Sequence, residues 1–170
     1  MSSTNIDYVD IYFEFPTLTK IHGEPTYETL TTIKDKLRSN ATSVTSDLGG
    51  GAHGHLGLVL TLAEYAVVSA APYVRPVHPG ALAIPAGTAQ HEATRLHHEH
   101  REAIKVFRET IDVEKALMKQ LVAAINAKYI KAFRNRNTNA IERPLSKVLA
   151  WLFERYGKVQ AVNLMTKRRR

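Results

Sequence analysis

Apolar positions recur at three- and four-residue steps in several stretches of the chain, and each such stretch predicts a helix. Tyr27, Leu30, Ile33 and Leu37 follow Pro25, a residue suited to a first helical turn, and predict a helix over 25–39. Thr61-Leu-Ala-Glu64 is a capping-box pattern ahead of Tyr65, Ala66, Val67 and Val68, which predicts a short helix over 62–69. After Thr88, Ala93, Leu96, His100, Ile104, Phe107 and Ile111 share their spacing with Leu117, Leu121 and Ile125. They predict one long amphipathic helix, or two with a break at Thr110-Ile-Asp112. Tyr129, Ile130 and Phe133 add a turn before the polar run Asn135–Asn139. From Pro144 to Tyr156, Leu145, Val148, Leu149, Leu152 and Phe153 share one face, and Gly157 is the predicted stop. Residues 158–166 are compatible with the start of a further helix.

Three stretches break this periodicity. Tyr8 to Phe15 alternates apolar and polar residues before Pro16 and reads as a short strand or extended arm. Gly49-Gly-Gly-Ala-His-Gly-His55 holds four glycines in seven positions, too much backbone entropy for regular structure. Pro72, Pro76, Pro79 and Pro85, with Gly80 and Gly87, predict a long extended connector. The expected fold class is all-α, with a Gly/Pro-rich irregular segment and a short extended N-terminal arm. Its parts are an arm over 1–22, a helical domain over 23–157 and a basic tail over 158–170. Leu96, Phe107, Leu117, Leu121, Trp151 and Leu152 are expected in one core.

Composition narrows the function classes. The 170 residues are 44% hydrophobic, enough for an ordered core. No run of about 18 apolar residues occurs, so no membrane span is expected. Cysteine is absent, which excludes disulfides, thiol catalysis and every cysteine-containing zinc motif. Met1 to Asp10 is polar and acidic, without the pattern of a secretory signal, so a cytoplasmic or nuclear location is expected.

Charge is uneven. Residues 1–50 carry four basic and seven acidic side chains, and residues 51–100 carry two and three with seven of the eight histidines. Residues 101–170 carry seventeen and six, a net +11, and end in Lys167, Arg168, Arg169 and Arg170. This asymmetry points to a polyanionic partner such as nucleic acid; the alternative is a solvated helical face with a charged end. Tyr129, Phe133, Trp151 and Tyr156 interleave with the basic residues, but their helical spacing assigns them to the core. Arg134, Arg136 and Lys167 to Arg170 are the candidate phosphate contacts.

Other chemistry is poorly supported. His91, His97, His98 and His100 cluster on one helix, yet His98 is turned from His97 by about 100° and no His-Glu-x-x-His pattern exists. Solvated helix histidines, with His53 and His55 capping backbone groups, are the expectation, and no metal or other cofactor is assigned. The glycine run lacks the Gly-Lys-Ser/Thr of a phosphate loop, and no Gly-x-Ser-x-Gly elbow marks a nucleophile. An enzyme is not expected.

One resemblance adds to this reading. Gly23-Glu-Pro-Thr-Tyr-Glu28, Asn40-Ala41, Leu48-Gly-Gly-Gly-Ala-His-Gly-His-Leu-Gly-Leu-Val59, Ala63-Glu-Tyr65 and Pro72-Tyr-Val-Arg-Pro-Val-His-Pro-Gly80 resemble the Gag region of copia-type LTR retrotransposons. Arg134-Asn-Arg-Asn-Thr-Asn139 and Tyr156-Gly-Lys-Val159 resemble it in order and spacing. The resemblance implies a helical capsid-like domain that self-associates into particles around packaged RNA. Family capsids continue with a second helical domain and often a zinc knuckle. Lacking cysteine, this chain is expected to be either a fragment of such a protein or a standalone one in which the basic end stands in for the knuckle. Gly49, Gly50, Gly51, His53, His55, Tyr73 and His78 then become candidates for assembly contacts on loops outside the core. A small monomeric helical nucleic-acid-binding module is the alternative.

Overall fold

The computed structural model describes residues 6–141 and 144–158. The helices in chain order are α1 (Tyr8–Ile11), α2 (Tyr27–Ser43), α3 (Leu62–Val68), α4 (Gln90–Ala124) and α5 (Leu145–Tyr156), joined by loops and short 3-10 turns. Among the described residues, strand-like pairing is confined to one bridge between Arg134 and Ile141. The protein is mostly helical.

α2 packs against both α4 and α5. Leu30, Ile33, Leu37 and Ala41 face Val113, Leu117, Leu121 and Ala124 of α4 and Leu145, Val148, Leu149 and Leu152 of α5 in one buried cluster. Each fully buried leucine contributes about 1.5–3 kcal/mol relative to exposure. α2 begins at a Thr26–Thr29 capping box, two residues after the predicted start, and runs four residues past the predicted end. α5 ends where Gly157 donates its backbone N–H to Phe153 O at 2.8 Å.

The N-terminal segment is not an extended arm. Asp7 caps α1, and Tyr8, Phe13, Leu18 and Ile21 are buried in the common core. Two buried amides hold it there. Asn40 accepts the Phe15 N–H at 2.8 Å and donates to Phe15 O at 3.0 Å and Gln120 Oε1 at 2.8 Å. Gln120 donates to Phe15 O and Pro16 O, at 2.9 and 3.1 Å. The backbone groups a strand would offer a neighbour are taken by side chains of α2 and α4.

α4 is a single helix of 35 residues, with no break at Thr110-Ile-Asp112. Thr110 turns its hydroxyl back onto Val106 O at 2.8 Å, which satisfies it within the helix. The buried positions of α4 begin only at Thr110. Leu96 and Phe107 are half-buried on the preceding turns and do not reach the core that holds Leu117, Leu121 and Leu152. Trp151 is also only half-buried, on the rim of that core.

The proline-rich connector runs without regular structure along the exposed part of α4. Arg75 forks onto both carboxylate oxygens of Glu114. The His78 ring meets Phe107 edge-on at 5.1 Å, and His100 donates from Nε2 to Gly80 O at 2.7 Å.

Candidate functional site

The glycine loop is built into the molecule, not draped outside it. Gly49, Gly50, Gly51 and Gly54 all have positive φ, where the density of glycine by itself called for at least one. A Cβ on Gly54 would lie 2.4 Å from Val44 O and 2.6 Å from Thr42 O, so the loop crosses the end of α2 where only glycine fits. Gly49 is buried, and its carbonyl accepts from the Tyr65 hydroxyl at 2.7 Å and from Ser69 Oγ at 3.0 Å.

His55 is 1% exposed. Its Nδ1 lies 2.8 Å from the Tyr73 hydroxyl and its Nε2 lies 3.0 Å from Glu109 Oε1. A carboxylate accepts, so the Nε2–H donates to Glu109, while Nδ1 and the Tyr73 hydroxyl share a second hydrogen bond. Burial pushes the Tyr73 phenol well above its ordinary value. The loop, the connector and α4 are thereby fastened at one buried point.

Burial therefore sorts the predicted assembly residues. Gly49, His55 and Tyr73 face the interior and offer nothing to a neighbour. His55 caps no backbone group. His53 does, with Nε2 3.2 Å from Val68 O at the end of α3. Gly50, Gly51 and His78 are exposed, and His78 accepts the Gly80 N–H at 2.9 Å. Leu62, Val67, Val74 and Val77 are exposed too, at 75%, 85%, 66% and 83%. Sequence reading placed the connector outside the core but singled out its Tyr73 and His78 and not these four, because apolar side chains carry no local sign of exposure.

The basic candidates divide likewise. Arg134 donates to Asn139 O at 2.7 Å across the polar turn and is half-buried. Asn135 orders that turn by accepting the N–H groups of Asn137 and Thr138. Arg136 is exposed on it, and Lys167 to Arg170 lie outside the described residues. Beside the turn, Phe133 is buried, whereas Tyr129, Trp151 and Tyr156 are half-buried. Phe133 meets Trp151 edge-on at 4.6 Å, and Arg155 lies over both the Trp151 and Tyr156 rings.

His91, His97 and His98 are exposed on α4, and no group of three metal-ligating side chains converges among the described residues. No helix among them is long and apolar enough to cross a membrane. Comparison with protein-family models, curated proteins and solved structures gives no match for this chain.

Proposed function

We propose that this protein is a Gag-like structural protein that self-associates into particles and packages RNA through its basic C-terminal region. The observation that carries the reading is the run of exposed apolar side chains on α3 and the connector. Leu62, Val67, Val68, Val74 and Val77 all face solvent within sixteen residues. Single exposed apolar residues are ordinary, but five within one short stretch of chain suit an interaction surface that a partner wraps or inserts against. This stretch is also held firmly: Tyr65, Tyr73 and Arg75 anchor it to the glycine loop and α4. A pre-ordered surface associates with little further loss of conformational entropy.

Light scattering over a range of protein concentrations, with and without RNA, tests the reading. The mass should grow beyond the 19.0 kDa of one chain. Val67→Asp together with Val77→Asp should hold it there while leaving the fold intact. A wild-type mass that stays at one chain under every condition refutes self-association and leaves the monomeric nucleic-acid-binding module.

A further inference from the structure

α4 carries a basic face that the C-terminal charge count does not single out. Arg101, Lys105, Arg108, Lys115 and Lys119 are all exposed. At 3.6 residues per turn these five fall within about 80° of arc, and His97 lies on the same side. The buried positions of the helix, Thr110, Val113, Leu117, Gln120, Leu121 and Ala124, lie on the opposite side. None of the five cations has an ion-pair partner among the described residues. Of the other carboxylates on the helix, Glu92 and Glu99 pair with Arg95, Glu114 pairs with Arg75 and Glu109 bonds to His55, while Glu102 is exposed on the flank of the stripe. Asp112 is the one acidic residue within the stripe. From Arg101 to Lys119 the row is about 27 Å long at 1.5 Å per residue.

We infer that this outer face of α4 is a docking surface for the phosphate backbone of single-stranded RNA, and this rests on the RNA-packaging reading above. The argument is charge complementarity. Like charges held within a turn or two of one another repel, and a polyanion with closely spaced charges lying along them relieves that repulsion and releases its own counterions. Within the 80° arc of the stripe the helix presents no large apolar side chain. The opposite face of the helix is spent on the protein core from Thr110 onward and, before that, is half-covered by the connector. An amphipathic membrane helix needs that face free for the lipid, so nucleic acid is the better fit. Five point charges with no planar recognition surface position a backbone and read no bases.

The test compares the full-length protein with a triple variant, Arg101→Gln, Lys105→Gln and Lys119→Gln, and with a variant ending at residue 166. Binding of a labelled uridine oligonucleotide is followed against salt, and thermal melting confirms that each variant is folded. Neutralising three contacts should weaken binding more than about tenfold at physiological salt and lower the salt slope by roughly 2. Asp112→Asn should strengthen binding. If the wild-type protein binds and the folded triple variant matches it in affinity and slope, the inference is overturned while RNA packaging through the tail stands. If the wild-type protein binds no RNA, both fall. If it binds phosphatidylserine vesicles at physiological salt and not RNA, the stripe is a membrane contact and the inference is likewise overturned.

Discussion

His55 and Tyr73, eighteen residues apart, meet inside the protein with Nδ1 of the imidazole 2.8 Å from the phenol oxygen. With Glu109 on the other ring nitrogen, the contact joins the glycine loop, the proline-rich connector and α4. The apolar surface proposed for self-association hangs from this point.

Replacing His55 with alanine removes both hydrogen bonds and takes from the buried Tyr73 phenol its imidazole partner. The expected loss is about 2–3 kcal/mol, most of it the cost of the orphaned groups. Urea unfolding measures it. A change below about 0.5 kcal/mol would mean that the connector is held by Arg75 and Glu114 alone.

Glycine substitutions should separate backbone strain from crowding. Gly87 has φ +83 with nothing near its absent Cβ, so Gly87→Ala should cost only the left-handed penalty, about 1–2 kcal/mol. Gly54→Ala adds a Cβ against three carbonyl oxygens at 3.0 Å or less and should cost clearly more. Equal midpoints in parallel unfolding curves would contradict the close crossing of α2.

α5 offers a graded comparison. Leu149 and Leu152 are fully buried, and truncating either to alanine should cost about 2–5 kcal/mol. Trp151 sits half-buried between Phe133 and Arg155, so Trp151→Ala should cost about 2 kcal/mol, below the range for a fully enclosed tryptophan. Thermal denaturation of the three variants ranks them, and a tryptophan variant worse than both leucine variants would refute the packing.

Acid should weaken the link between α2 and α3. Burial alone would raise the Glu64 carboxyl, but hydrogen bonds from Lys34 and the Thr61 N–H outweigh it and hold the group below its ordinary value. A carboxylate depressed in the folded state adds stability above its unfolded pKa, and that stability is lost as pH falls through the folded value. Between about pH 6 and about pH 3, Glu64→Gln should therefore lose less stability than wild type. Parallel pH profiles would show that the Lys34 contact, at 2.6 Å, carries no charge-dependent stability.

Removing Lys167 to Arg170 tests the tail. Loss of four phosphate contacts should lower the salt slope of RNA binding by roughly 3 while particle size in RNA-free buffer stays the same. An unchanged slope would move the contacts to Arg136 and the α4 stripe.

What the sequence determined was local. Helical periodicity and the Thr61–Glu64 capping box placed α2 to α5 to within a few residues, because propensity, caps and glycine stops act over single turns. That the glycines at 49, 50, 51 and 54 include left-handed backbone was legible for the same reason, though not that all four adopt it. Tertiary structure decided the rest. Alternation from Tyr8 to Phe15 suggested an extended arm, but Asn40 and Gln120, 25 and 105 residues away, bind its backbone carbonyl at Phe15. The burial of His55 depends on Glu109, 54 residues on, and no local pattern announces that partner. In α4 one spacing runs from end to end, yet the core covers only the turns from Thr110 onward. Periodicity states which face of a helix is apolar, and only the packing of the other helices decides how much of that face is buried.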